Sequence, residues 1–155
     1  MGFPIELTEA LENLLNNDVK LVHVDKHAKE ISKKYRENDN DGKRLVTKKD
    51  EAIAYALSRM PATYEAVSST VNKVIENNEF EINTVLDVGA GTGAASWAIY
   101  DILGEKNFCL FEREDSMRQI GQTLMKESEF LKKAKWQKFD IIKDNISDTY
   151  DLVIV

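Results

Sequence analysis

Apolar residues recur at three- and four-residue steps through the first eighty or so positions of this chain, the period of amphipathic helices, with almost no alternating pattern between them. Leu7, Leu11, Leu14 and Leu15 make one stripe, and Leu21, Val24, Ala28, Ile31 and Tyr35 make a second. The polar run Asn38-Asp39-Asn40-Asp41-Gly42 separates the second helix from a third. That third helix is expected to begin at Thr47, which caps its free N–H groups while Asp50 reaches back in a capping-box arrangement, and to end near Met60. Pro61 lacks an N–H and suits the first turn of a new helix. A fourth helix is therefore expected from Ala62 to about Asn77, with Tyr64, Val67, Val71, Val74 and Ile75 facing inward.

After Asn83 the grammar changes. Thr84-Val85-Leu86-Asp87-Val88 is a short, β-branched run ending in glycines, and a helix-period segment follows from about Thr92 to Leu103. Asn107 to Glu112 reads as a second strand, Ser116 to about Glu127 as a helix, Lys135 to Phe139 as a third strand and Tyr150 to Val155 as a fourth. Apolar strand runs alternating with helices point to a parallel sheet buried on both faces. The predicted class is α/β: a helical N-terminal domain over 1–80, then the first four parallel strands of a Rossmann-like sheet over 81–155. From Thr84 the chain is too short for the six or more strands of an ordinary nucleotide-binding sheet, and YDLVIV has the composition of an interior strand. A fragment of a longer protein is expected.

Composition narrows the classes. With 155 residues, 43% apolar and 31% charged, the chain has the balance of a globular protein, and no stretch approaches the roughly 18 apolar residues of a membrane span. The opening segment carries acids where a secretory signal needs basic residues, so a cytoplasmic protein is expected. Cys109 stands alone, and neither a disulfide framework nor a paired-cysteine metal site is available. The net charge of −6 has the wrong sign for general nucleic-acid affinity. Between Lys26 and Lys49, however, nine basic residues face four acids, and KKAKWQK adds a second basic run from Lys132 to Lys138.

The candidate chemistry lies in Gly89-Ala90-Gly91-Thr92-Gly93, at the junction of strand and helix. Such a junction offers free N–H groups, and its glycines let a ligand approach the backbone closely. The pattern alone also fits a dinucleotide fingerprint. Asp87, two residues before the first glycine, discriminates. A pyrophosphate would bring like charge to it, a repulsion of about 4 kcal/mol at about 4 Å and an effective dielectric near 20. S-adenosylmethionine brings an ammonium and a sulfonium, which a carboxylate attracts. Glu112, at the end of the second strand, is placed to accept from ribose hydroxyls, and Asp140, after the third, from an adenine amino group.

Other residues invite simpler readings. Asp115 or Ser116 reads as a helix N-cap, Trp97 as core and Cys109 as a small buried hydrophobe. His23 and His27, one turn apart, lack a third metal ligand, and the Asp39-to-Gly42 stretch fails as a calcium loop because Lys48 stands where a bidentate acid is required.

Two blocks of sequence carry a resemblance. Ala54-Tyr55-Ala56-Leu57-Ser58-Arg59-Met60-Pro61-Ala62-Thr63-Tyr64-Glu65-Ala66-Val67 is followed some twenty residues later by Val85-Leu86-Asp87-Val88-Gly89-Ala90-Gly91-Thr92-Gly93-Ala94-Ala95-Ser96-Trp97-Ala98. Together they resemble the methyltransferase-like family that includes the mitochondrial small-ribosomal-subunit protein and its bacterial homologues, and Ser32-Lys33-Lys34-Tyr35-Arg36 fits the family's first helical region. The resemblance implies an N-terminal helical domain, a seven-stranded class I methyltransferase sheet with strand order 3-2-1-4-5-7-6, and S-adenosyl-L-methionine as cofactor. It implies Asp87, Gly89, Ala90, Gly91, Thr92, Gly93, Glu112 and Asp140 as cofactor-binding positions, and the small ribosomal subunit and its RNA as partners. The family's catalytic segment and its iron-sulfur cysteines would both fall after Val155, so no catalytic or metal-binding residue is assigned within this chain.

The expected function is an S-adenosylmethionine-dependent methyltransferase acting on ribosomal RNA of the small subunit, with the Lys26–Lys49 segment contacting phosphates. Methyl transfer asks a protein mainly to align donor and acceptor and to exclude water, so the legible residues hold a cofactor. An assembly factor that binds the cofactor without methylating uses the same residues. A nicotinamide-dependent oxidoreductase is disfavoured by Asp87.

Overall fold

The computed structural model describes residues 2–18 and 48–155. Thr47, the two histidines, the Ser32–Arg36 run, the Asp39–Gly42 loop and most of the Lys26–Lys49 basic segment lie outside the described residues.

The chain begins with helix α1 (Ile5–Asp18), whose Leu7, Leu11 and Leu14 are buried while Leu15 is half-buried. Helix α2 (Lys49–Glu76) is one continuous helix where two were expected. Pro61 sits inside it, removing one backbone hydrogen bond at a typical cost of about 3 kcal/mol. Burial offsets that cost. Met60 precedes the proline and Tyr64 follows it, and both share a stripe with Ser68 and Val71 that stays buried only if the helix keeps its phase across the break. Val74 falls off this stripe and is exposed, unlike Tyr64 and Val71. The helix starts after Lys48, which makes no side-chain capping bond.

Strand β1 (Thr84–Val88) leads through the glycine loop into helix α3 (Ala94–Leu103), then β2 (Asn107–Glu112), helix α4 (Asp115–Met125), a short 3-10 turn at Leu131–Lys133, β3 (Lys135–Lys138) and β4 (Leu152–Ile154). All strand pairs are parallel, in the order β3-β2-β1-β4. The α/β class and the strand order both match expectation. The expectation of strands buried on both faces holds for β1 and, in β2, for Phe108, Leu110 and Phe111. It does not hold for β3, an edge strand in which only Trp136 is even half-buried, or for β4, the opposite edge of the four, where Leu152 and Ile154 are half-buried and Val153 is exposed.

α1, α2, α3 and α4 share one apolar core on one side of the sheet, with Trp97, Ile99, Leu110 and Leu124 at its centre. Trp97 is fully buried, as its reading as core requires. A smaller cluster of Leu86, Val88, Phe111 and Phe139 forms on the opposite face, where Cys109 is only half-buried beside Tyr150. Tyr64 ties α2 to α3 by donating to Asp101 Oδ2 at 2.7 Å, with the Phe3 ring edge-on against it. Asp151, at the entry to β4, accepts from the backbone N–H groups of Asn83 and Thr84, while its own N–H donates to Thr84 Oγ1. At the start of α4 the capping position belongs to Glu114; Asp115 lies inside the first turn and pairs with Arg118, and Ser116 is buried.

Candidate functional site

The parallel strands β1, β2 and β4 all end on the same edge of the sheet, so the residues at their C-terminal ends converge there. Register sets the neighbours. Asp87 lies beside Leu110 on one side and Ile154 on the other, and Val88 beside Phe111. Beyond Val88 the chain turns through Gly89, Gly91 and Gly93, all with positive φ (70°, 58° and 94°), a region that costs a residue with a Cβ about 1–2 kcal/mol.

The three glycines have different tasks. A Cβ at Gly89 would meet nothing within 4 Å, so this glycine faces the open crevice. At Gly91 it would stand 3.4 Å from Met117 Cε and from the Tyr55 ring, and at Gly93 2.8 Å from Met125 Cε. Gly89 is thus the point at which a ligand can come close to the backbone, whereas Gly91 and Gly93 let α2, α4 and Trp136 pack against the loop.

Four of the loop's own N–H groups are already engaged. Those of Gly89 and Ala90 both donate to the Phe111 carbonyl, at 2.8 and 3.0 Å, and that of Gly93 donates to the Ala90 carbonyl. Gly91 N–H donates to Glu112 Oε2 at 2.8 Å, and Glu114 N–H to Glu112 Oε1 at 2.9 Å. Glu112 is therefore fixed by two backbone donors, and each oxygen keeps a second lone pair. Arg118 steadies the same corner by donating to the Glu112 and Arg113 carbonyls.

Asp87 is 3% exposed, and the Ser96 hydroxyl donates to its Oδ2 at 2.8 Å. Burial pushes its carboxyl up to about 6; the hydrogen bonds from the Ser96 side chain and backbone oppose that rise, and the nearby Glu112 charge adds to it. The carboxyl borders a cavity of about 150 Å³ together with Gly89, Ala90 and Thr92 of the loop. On the other side of Gly89, a second cavity of about 440 Å³ is lined by Glu112, Phe139, Asp140, Ile141 and Ile142. Val88, Gly89 and Val155 border both, so the two cavities form successive compartments along the strand ends.

Of the positions singled out in the sequence, Asp87, Gly89, Ala90 and Thr92 lie at the first compartment and Glu112 and Asp140 at the second, while Gly91 and Gly93 support the loop from behind. Asp140 also organises its own turn: its Oδ1 accepts from Ile142 N–H, and its N–H donates to Asp144 Oδ2. Sequence reasoning missed Tyr55, Met60, Thr63 and Val67, which α2 contributes to the wall of the first compartment. It also missed Ile141 and Ile142, which are 63% and 70% exposed at the second. A helix stripe explains Met60 and Val67 as core residues, and nothing in a linear pattern marks the same stripe as a wall for a loop more than twenty residues downstream.

The arrangement can hold a ligand with a cationic group at one end and hydroxyl-bearing and flat apolar parts at the other. Asp87 suits the first. Glu112 suits the hydroxyls, and the exposed isoleucines suit the apolar part. It is poorly suited to a pyrophosphate, which would meet a carboxylate at Asp87 and, at Gly89, Ala90, Gly91 and Gly93, amides already committed to protein acceptors.

The fold matches that of the plantazolicin methyltransferase BpumL in complex with a monoazolic desmethylPZN analog and SAH, with a TM-score of 0.52 at 14% identity over 95% of this chain and 49% of that one. The same enzyme in complex with SAH gives 0.51, again at 14% identity with the same coverage of 95% and 49%. Among curated proteins, the human "Ribosome assembly protein METTL17, mitochondrial" is 27% identical over 78 residues, which are 48% of this chain and 17% of that protein. This chain thus spans about half the length of the BpumL structures and matches a smaller share of METTL17. Residues 49–155, from the start of α2 through β4, match the family described as mitochondrial small ribosomal subunit Rsm22, and the chain belongs to that Rsm22 family.

Proposed function

We propose that the chain binds S-adenosyl-L-methionine along the ends of β1, β2 and β4 and belongs to a methyltransferase acting on ribosomal RNA of the small subunit. The observation that carries the cofactor reading is the buried Asp87 carboxylate beside an open Gly89, next to a loop whose four amides at Gly89, Ala90, Gly91 and Gly93 are occupied. In this reading Asp87 faces the ammonium at the amino-acid end. Glu112 accepts from the ribose hydroxyls through its remaining lone pairs, and Asp140 lies beside an adenine ring covered by Ile141 and Ile142. When bound, the cofactor supplies an electrophilic methyl group. The protein's own part is to orient that group and keep water from it, for which the apolar walls around Asp87 are suited.

The ribosomal part of the proposal is supported by membership of the Rsm22 family. A second reading, an assembly factor that holds the cofactor without methylating, is favoured by the printed name of the human relative, a ribosome assembly protein. Incubation with S-adenosylmethionine labelled in its methyl group and small-subunit ribosomal RNA separates them. Label in the RNA supports methylation. Cofactor binding without label supports the assembly role, and absence of cofactor binding contradicts both.

A further inference from the structure

We propose that Thr63 of α2, together with Thr92 of the glycine loop, receives the carboxylate of the cofactor's amino-acid end, with the Tyr55 ring closing the compartment over Gly91; this rests on the S-adenosylmethionine reading above. The amino-acid end carries an ammonium and a carboxylate on the same carbon. Asp87 answers only the ammonium. A carboxylate drawn beside another carboxylate needs donors of its own, and four of the loop's amides are spent, because those of Gly89, Ala90, Gly91 and Gly93 already donate to Phe111, Glu112 and Ala90.

Two threonine hydroxyl groups belong to residues that line the same cavity. Thr92 is 1% exposed, and its Oγ1 is buried without a hydrogen-bond partner. An unsatisfied buried hydroxyl is costly, and such a group beside a cavity marks a position where an acceptor belongs. Thr63 stands on the opposite wall of the same cavity, two residues past Pro61, and is exposed at its rim. Tyr55 lies over Gly91, its ring and hydroxyl 3.4 and 3.5 Å from where a Cβ would be. Met60 and Val67 complete the wall with apolar surface against which a thioether chain can lie. The long helix thereby becomes part of the cofactor site as well as of the core, which gives its unbroken passage through Pro61 a functional reason: a helix restarted at that point would move Thr63 relative to Tyr55.

Titration calorimetry of the chain with S-adenosylhomocysteine and with 5′-methylthioadenosine, which lacks the amino-acid end, tests the assignment. Thr63→Val is expected to weaken S-adenosylhomocysteine about ten-fold, the scale of a hydrogen bond to a charged group, and to leave 5′-methylthioadenosine unchanged. Thr63→Ser is expected to restore the loss. Equal weakening of both ligands, or no change for S-adenosylhomocysteine, overturns the inference. If the unaltered chain binds 5′-methylthioadenosine but gains nothing from the amino-acid end, the inference also fails while the adenosine half of the reading stands. If it binds neither ligand, the cofactor reading itself falls.

Discussion

The Ser96 hydroxyl, from the first turn of α3, donates to Asp87 Oδ2 at 2.8 Å, joining the end of β1 to the helix that follows the glycine loop. This bond holds a carboxylate that burial disfavours: the Asp87 carboxyl is raised from 3.8 to about 6. The folded chain therefore binds more protons than the unfolded chain between those two values. The stability associated with Asp87 is complete below about 3.8 and is lost as pH rises through about 6.

Replacing Asp87 by Asn removes the charge and keeps an acceptor for Ser96. Above pH 6, Asp87→Asn should stabilise the ligand-free chain by about 1–3 kcal/mol, an order-of-magnitude figure from a shift of that size, with little gain at pH 4. Urea unfolding at the two pH values measures it. A charge retained at such a cost in the free protein fits a site arranged for a cationic ligand.

Gly121 lies inside α4, where alanine is ordinarily better than glycine by about 1 kcal/mol. Here the Trp136 ring fills the space, and a Cβ would fall 2.6 Å from Trp136 Cζ2. Gly121→Ala should therefore destabilise the chain by about 1–3 kcal/mol, the range for overpacking. In a Trp136→Ala background the same change should become neutral or stabilising. Thermal melts of the single and double variants supply the cycle.

Asp151 joins β4 to β1 through the Asn83 and Thr84 backbone N–H groups, and these bonds hold its carboxyl below the usual value of 3.8. A depressed carboxyl contributes stability above that value and loses it as pH falls through the folded-state pKa. Asp151→Asn should lower the unfolding midpoint at neutral pH and flatten the acid side of the stability profile. Hydrogen exchange should show faster opening of Leu152 to Ile154, the residues paired with Val85 to Asp87.

Much of the architecture was legible because it rests on short-range physics. The β-branched run before Gly89 and the switch from helix period to strand runs place β1, α3 and β2 within a residue or two. Pro61 misled because its local preference for a helix start was weaker than the burial of Met60 and Tyr64 on one stripe, which only the tertiary structure reveals. The edge position of β3 was not legible, and its Trp136 packs against a glycine fifteen residues earlier, a pairing that no linear pattern marks. At the site, Asp87 and Glu112 were legible from their distance to the glycines. Ser96, Tyr55 and Thr63 were not, since a hydroxyl on a helix has no linear sign of what it will face.

The most direct test of the central claim is titration of the chain and of Asp87→Asn with S-adenosylhomocysteine and with NAD at pH 7.5 or thereabouts, about a unit or more above the Asp87 midpoint of about 6. The predicted result is that the unaltered chain binds S-adenosylhomocysteine and not NAD, and that Asp87→Asn, though more stable, loses at least about ten-fold in affinity. Binding of NAD in preference to S-adenosylhomocysteine, or an affinity for S-adenosylhomocysteine indifferent to Asp87→Asn, would contradict it.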